Sequence, residues 1–165
     1  MVDAQMFRDA MGRLGAAVNI VTTDGPHGRH GLTASAVCSV TDSPPTLLVC
    51  LNRTSGSYLQ YSSNRVIGIN VLASGHEDLA MRFAKSSMEA DERFAAGDWT
   101  TAETGAPLLS DAMVALDCTV EQIVEVGTHS VFFCIVRAVR FGDGRESLIY
   151  QGRAFHTIPM TAGGG

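Results

Sequence analysis

The sequence predicts a mainly β fold, an antiparallel barrel with a few peripheral helices. Short apolar, β-branched segments follow one another at intervals marked by turn clusters such as Asp24-Gly25-Pro26. Two long runs, Met113–Val126 and Thr128–Phe141, flank Gly127, and the first alternates apolar with polar residues as a half-buried antiparallel strand does. Helical segments do not alternate regularly with strands, so a parallel βαβ sheet is not predicted.

The first third of the chain is predicted to hold one helix and three strands. Residues 3–14 carry apolar side chains at three- and four-residue spacing, which predicts an amphipathic helix. The predicted strands span Ala17–Thr23, Leu32–Val40 and Thr46–Leu51, and a Pro-Pro turn separates the last two. Turn residues bound these strands, so short, hairpin-like connections are expected.

The rest of the chain is predicted to add helices at the surface and more strands. A short helix is expected at Ser57–Ser63 and a longer one at Gly75–Lys85, which Ser74 could cap. Residues 86–112 are polar and contain Gly and Pro, which predicts a surface loop with a short helix around Glu89–Ala95. Further strands are predicted at Val66–Leu72 and Ser147–Tyr150.

Length, composition and charge indicate a single globular domain. The 165 residues are 45% hydrophobic and 18% charged, which supplies enough apolar surface for a core. The formal net charge of −5 argues against a general nucleic-acid binder, which would carry a basic face. No apolar run reaches the length of a bilayer and the N-terminus lacks a signal-peptide pattern, so we expect a cytoplasmic protein without a membrane segment.

The cysteines indicate neither a disulfide framework nor a metal site. They are Cys38, Cys50, Cys118 and Cys134. Each lies in an apolar, strand-like segment without a Cys-x-x-Cys pair, so buried reduced thiols are predicted. His76-Glu77 resembles the start of a zinc-binding helix, but Ala80 occupies the position of the second histidine ligand. No metal is expected.

The predicted strand Leu32–Val40 is unusually poor in large side chains. Its small residues are Thr33, Ala34, Ser35, Ala36, Cys38 and Ser39. A strand of small residues allows a flat molecule to approach its backbone. Small residues also allow a barrel strand to bend, and the residues alone leave both interpretations open.

A polar group follows the strand Thr46–Leu51. Its candidate ligand-binding residues are Asn52, Arg53, Ser55 and Ser57. Hydroxyls, amides and one cation suit a phosphate or a polyol chain. A planar ring beside such an anionic tail describes a flavin nucleotide. Asn70 is a further candidate, because an amide on an apolar strand needs a partner, which a ligand or a neighbouring turn could equally provide.

The segment 33–53 resembles the core signature of the short-chain NAD(P)H:flavin reductases, a family that includes the reductase components of two-component aromatic hydroxylases. The likeness continues at 17–23, 70–72, 82–84, 127–129 and 148–156, and so covers nearly the whole chain. It implies a split β-barrel of Greek-key type and a homodimer with the flavin near the subunit interface. It also implies one flavin reductase-like FMN-binding domain at 1–160, with a flexible tail at 161–165.

The resemblance implies FMN or FAD as the flavin and NADH as the hydride donor. No Gly-x-Gly-x-x-Gly follows a strand, but hydride transfer needs stacked rings rather than a Rossmann fold. His129, in Gly127-Thr128-His129, is implied as the catalytic residue beside the nicotinamide. Tyr150, Arg153 and His156 match the segment that helps to bind the pyridine nucleotide. A barrel-closing strand with exposed charges is the structural alternative there.

Lys85 and Ser86 follow a helix that ends close to the flavin in the resembled family. The resemblance therefore implies a phosphate contact for both, while a lysine at a helix C-terminus is also favourable in solvent.

Three functions are compatible with these residues. The first is a reductase that releases reduced flavin to a partner monooxygenase. The second keeps FMN bound and reduces a metal centre, either ferric iron or a cobalt corrinoid. The third is a flavin-binding module without reductase activity. The sequence does not separate them.

Overall fold

The computed structural model describes residues 1–161 and contains four helices and twelve strands in that range. The helices are α1 (Ala4–Met11), α2 (Tyr58–Asn64), α3 (Glu77–Ala84) and α4 (Ala90–Phe94). The strands are β1 (Ala16–Ala17), β2 (Asn19–Thr23), β3 (His30–Ala34), β4 (Val37–Asp42), β5 (Pro45–Asn52), β6 (Val66–Val71), β7 (Trp99–Thr100), β8 (Leu108–Leu109), β9 (Val114–Val126), β10 (His129–Phe141), β11 (Glu146–Gln151) and β12 (Ala154–Pro159). Of the predicted tail at 161–165, residues 162–165 lie outside the described residues.

Seven strands form one antiparallel sheet in the order β3-β2-β6-β9-β10-β5-β4. In a flat sheet of seven strands, spaced about 4.8 Å apart, the two edges would be about 29 Å apart. The edge strands β3 and β4 are nevertheless consecutive, and the link Ser35–Ala36 limits the distance between their ends to about 11 Å. The sheet therefore coils until its two edges come close to each other at this link, and the expected mainly β split barrel of Greek-key type is confirmed.

The predicted continuous strand Leu32–Val40 is wrong, because the chain turns at Ser35 and Ala36. The amide of Val37 donates to the carbonyl of Ser35 at 2.9 Å, a tight turn that ends β3. The amide of Cys50 on β5 donates to the carbonyl of Ala36 at 3.0 Å. These bonds direct β3 to one edge of the sheet and β4 to the other.

Two apolar clusters fill the molecule. One cluster joins the inward side chains of β2, β5, β6, β9 and β10 with Tyr61 of α2, whose hydroxyl donates to the carbonyl of Val21 at 2.8 Å. The other packs α3 and α4 against β2 through Phe83 and Phe94, whose ring centroids lie 5.2 Å apart. The helices therefore cover one flank of the barrel near the free edge of β3.

The predicted helices are present, but the prediction of residues 86–112 as a surface loop is wrong, because they form β7 and β8 and bury Phe94, Leu108 and Leu109 in the core. Helix α3 begins at Glu77, and His76 rather than Ser74 is its N-cap residue. The C-terminal end forms one strand more than predicted, which is β12. Strand β11 pairs with β12 on one side and with β1 on the other. None of the helices in residues 1–161 is long and apolar enough to span a membrane.

Asn70 is fully buried on β6 and fixes a loop to the barrel. Its amide nitrogen donates to the carbonyls of Ile20 and Pro107, and its oxygen accepts from the amide of Leu109 at 2.7 Å. The side chain has no polar atom left for a ligand. The prediction of Asn70 as a flavin-binding residue is therefore wrong, and the alternative of an amide that closes a neighbouring turn describes its contacts.

Replacing Asn70 with Ala should destabilise the fold. The change leaves the buried Leu109 amide without its partner and removes one hydrogen bond from each of two carbonyls, so we expect the free energy of unfolding to fall by about 2–4 kcal/mol. Denaturant unfolding measures this, with Gln122→Ala on the exposed part of β9 as a control expected to change stability by about 0.5 kcal/mol or less. Equal effects of the two substitutions would contradict the structural role.

Candidate functional site

A cleft of about 820 Å³ opens along the free edge of β3, where the barrel is split. The loop between β5 and α2 forms one wall, and the segment from the end of α3 to α4 forms the other. Its volume lies within the range of about 300–1,000 Å³ that is usual for small-molecule sites. The predicted residues that line it are Thr33, Ala34, Ser35, Ala36, Asn52, Ser55, Ser57, Ser86 and His129.

The end of β3 offers backbone and small side chains to the cleft. The hydroxyl of Thr33 donates to the carbonyl of Ala80 at 2.5 Å, so this side chain anchors α3. Ser35 and Ala36 are exposed at the turn between the two sheet edges. Because their side chains are small, a planar ligand can approach the backbone there.

The loop after β5 lines the opposite wall with hydroxyl groups. The carboxamide oxygen of Asn52 accepts from the amide and the hydroxyl of Thr54, each at 2.9 Å, which fixes the turn. The hydroxyls of Ser55 and Ser57 lie 2.6 Å apart, and Ser57 is buried. This wall can therefore bind a polyol or an oxyanion through hydroxyls and backbone amides.

Besides Asn70, four predicted flavin-binding residues do not line this cleft. Cys38 and Ser39 lie on β4, because the turn at Ser35–Ala36 carries them to the other sheet edge. Arg53 points to β9, where its guanidinium lies 3.1 Å from the carboxylate of Glu125. Lys85 lines a separate groove on the outer side of α3. Their predicted contacts with the flavin are not supported by this geometry.

The predicted nicotinamide-binding residues are dispersed. His129 opens β10 opposite Asn52 and lies at the exposed mouth of the cleft. Tyr150 lines an adjoining cavity of about 240 Å³ that shares part of β3 with the cleft. Arg153 pairs instead with Asp9 of α1 at 3.0 Å. His156 contacts the carbonyl of Gln151 at 3.1 Å, and neither Arg153 nor His156 lines the cleft.

Sequence reasoning missed a polar group at the other end of the cleft, formed by Arg29, His30, Gln60 and Arg93. Burial, reinforced by the charge of Arg93, lowers the pKa of His30 from 6.5 to about 4, so its ring is neutral near pH 7. These side chains come from β3, α2, α4 and a turn. No motif joins them in sequence, and the burial of Arg93 on a short helix cannot be read from the sequence.

The thiols carry no catalytic function that the geometry supports. All four cysteines are free, as predicted, but two of them are not buried, because Cys38 is exposed and Cys50 is half-buried. Burial raises the pKa of the Cys118 thiol, and it raises that of Cys134 to about 12, so both stay protonated. Over residues 1–161, no three His, Cys, Asp or Glu side chains are grouped to hold a metal ion.

Comparison with known proteins agrees with this architecture. Residues 11–159 match the family model described as the flavin reductase like domain. The FMN reductase (NADH) RutF of Ancylobacter novellus is 55% identical over 163 residues, which cover 99% of this chain and 90% of that protein.

Solved structures show the same similarity. A candidate flavin reductase of Haemophilus somnus superposes with a TM-score of 0.92 at 43% identity, covering 95% of this chain and 100% of that one. The NADH:FAD oxidoreductase SgcE6 of Streptomyces globisporus C-1027, solved with NAD and FAD fragments, gives a TM-score of 0.87 at 28% identity over 99% of both chains. Because the family model spans nearly all of the split barrel and its cleft, the chain belongs to the flavin reductase like domain family.

Proposed function

We propose that this protein is an NADH-dependent flavin reductase that uses FMN by preference, accepts FAD, and supplies reduced flavin to a partner monooxygenase. The observation that carries the proposal is the cleft at the split of the barrel, with the small residues of Ser35–Ala36 on one side and the hydroxyls of Ser55 and Ser57 on the other. The flavin ring would pack against the small residues, and the ribityl phosphate would bind the hydroxyls.

Unpartnered polar atoms support a flavin in this cleft. In the described part of the chain, the Nδ1 atom of His30 and the Oε1 atom of Gln60 are buried and have no hydrogen-bond partner. Buried polar groups are rarely left unpaired in a folded protein. Both residues line the cleft, and a rotation of either side chain would bring its unpaired atom to the hydroxyl groups of a bound ligand.

The chemistry requires positioning rather than a nucleophile or a general base. The flavin would accept a hydride from the nicotinamide of NADH when the two rings stack about 3–3.5 Å apart. The chain would hold one ring against the end of β3 and leave the other face open. His129, at the mouth of the cleft, would orient the nicotinamide with a hydrogen bond.

The relatives support the choice of cofactors. FMN and NADH appear in the name of the Ancylobacter novellus relative, which is similar over 99% of this chain. NAD and FAD fragments occur in the Streptomyces globisporus structure. We extend these cofactors to this chain.

Oxidation of NADH in the presence of added FMN tests the function. We expect the purified protein to retain little flavin and to consume NADH only when free flavin is supplied. A protein that binds FMN but does not oxidise NADH would be a flavin-binding module. A protein that keeps FMN through purification and reduces a ferric or cobalt centre would contradict release to a monooxygenase.

We also propose that the protein is a homodimer in the cytoplasm. Helix α1 buries none of its residues, and Met6, Phe7, Met11 and Leu14 expose large apolar side chains that a second copy could cover. Four free cysteines fit a reducing compartment. Sedimentation velocity should give twice the mass of one chain, and a monomer at micromolar concentration would contradict the dimer.

Replacing Ser35 with Trp should abolish flavin binding and leave the fold intact. Ser35 is exposed in the turn that lines the cleft, so an indole would occupy the space for the flavin ring without entering the core. Flavin fluorescence quenching measures the affinity, and Asp143→Trp in a distant exposed turn is the matched control. Unchanged affinity in Ser35→Trp would place the flavin elsewhere.

Replacing His129 with Ala should weaken the use of NADH with little change in flavin affinity. One lost hydrogen bond costs about 1–3 kcal/mol, which corresponds to roughly fivefold to a hundredfold in KM for NADH or in hydride-transfer rate. Stopped-flow reduction of FMN measures both. His27→Ala, in an exposed turn, is the control. Wild-type NADH kinetics in His129→Ala would leave His129 with a structural role only.

A further inference from the structure

Glu89 is the acidic residue among the described residues that line the cleft. It lies on the wall formed by the segment between α3 and α4, together with Ser86, Met88 and Ala90. Glu89 is also the N-cap residue of α4, but its side chain makes no capping hydrogen bond. The residue is exposed to solvent. Its carboxylate is therefore not needed by the helix that it precedes and faces whatever enters the cleft.

No cation in residues 1–161 forms an ion pair with the Glu89 carboxylate. Two arginines line the same cleft. Arg29 is paired with Asp91 at 3.1 Å. Arg93 is only 4% exposed, and its guanidinium donates to main-chain carbonyls. A ligand that enters from solvent therefore meets an exposed negative charge on this wall, while the positive charge of Arg93 is buried.

The proposed position of FMN leaves this wall to the coenzyme. The ribityl phosphate would bind the hydroxyls of Ser55 and Ser57 on the opposite wall, and the nicotinamide of NADH would lie near His129 at the mouth. NADH is longer than the flavin ring that it reduces, so its adenosine half has to extend past that ring. Because the flavin phosphate would occupy one wall, the adenosine half would lie against the wall that carries Glu89.

A carboxylate in this place distinguishes between the two nicotinamide coenzymes. They differ at the 2′-oxygen of the adenosine ribose, which is a hydroxyl in NADH and carries a phosphate in NADPH. A carboxylate accepts a hydrogen bond from the hydroxyl, as an acidic residue does in dinucleotide-binding folds. A phosphate monoester has a charge of about −2 near pH 7 and is repelled by a carboxylate at contact distance.

We propose that Glu89 determines specificity for NADH over NADPH, by accepting a hydrogen bond from the 2′-hydroxyl of NADH and by repelling the 2′-phosphate of NADPH. The inference rests on the proposed function. The chain has no Gly-x-Gly-x-x-Gly loop after a strand, so the choice of coenzyme has to come from side chains at the cleft. Attraction of one coenzyme and repulsion of the other both contribute to such a choice.

The ratio of kcat/KM for NADH to kcat/KM for NADPH, measured with saturating FMN, tests the proposal. We expect wild type to favour NADH by about tenfold or more. Glu89→Gln removes the charge and keeps the size, so the ratio should fall by at least about fivefold, mainly through a gain with NADPH. Glu89→Asp keeps the charge and should keep most of the preference. An unchanged ratio in Glu89→Gln would overturn the proposal.

Ionic strength separates an effect of charge from an effect of shape. The Debye length falls from about 30 Å at 0.01 M salt to about 8 Å at 0.15 M, so salt should lower the NADH preference of wild type. Glu89→Gln lacks the carboxylate, so its ratio should change less over the same range. An equal salt dependence in the two proteins would contradict the repulsion that the proposal requires.

Glu92→Gln is the matched control. Glu92 is exposed, lies on the same helix three residues after Glu89, and is not part of the cleft lining. The substitution removes the same charge and should keep the ratio of wild type. An equal fall of the ratio in Glu92→Gln, or equal use of both coenzymes by wild type, would overturn the proposal and leave the proposed reductase function standing. A protein that oxidises neither coenzyme with added FMN would overturn both.

Discussion

The link of two residues between β3 and β4 is the constraint on which the rest of the structure depends. Ser35 and Ala36 join the opposite edges of a seven-stranded sheet, so the sheet has to close on itself. The closure is incomplete, because among residues 1–161 the strand β3 pairs only with β2 and β4 only with β5. The cleft lies at this opening. Because Ser35 and Ala36 have small side chains, a ligand in the cleft can reach their backbone. The feature that closes the barrel therefore also forms the site.

Some buried polar side chains have their hydrogen bonds completed within the fold, and others keep an atom without a hydrogen-bond partner. Asn70 uses both ends of its amide, and the buried carboxylate of Asp117 accepts from the amide and hydroxyl of Thr104. In contrast, within residues 1–161 the Nδ1 atom of His30 and the Oε1 atom of Gln60, two residues that line the cleft, have no hydrogen-bond partner. Buried polar atoms are paired in most folds, so unused ones that converge on a cavity indicate a ligand.

The sequence predicts most elements but not the arrangement that makes the site. Periodicity finds the strands at 113–126 and 128–141, because long alternating runs are unambiguous. It fails at Ser35–Ala36, where the turn uses neither Gly nor Pro and the small residues look continuous. It also fails for Arg53, because nothing in the sequence says that its side chain turns toward Glu125. Arg93 is 40 residues from the predicted cluster around Arg53, and only the packing of α4 brings it to the cleft.

A crystal structure with FMN bound is the most direct test, because the central claim is that the flavin lies in the cleft at the split of the barrel. We expect the isoalloxazine ring against the backbone of Ala34–Ala36, the phosphate at the hydroxyls of Ser55 and Ser57, and an open ring face toward His129. The barrel should change little, since the cleft is already formed. A flavin seated against α3 on its outer side, or a ring far from Ser35 and Ala36, would contradict the account.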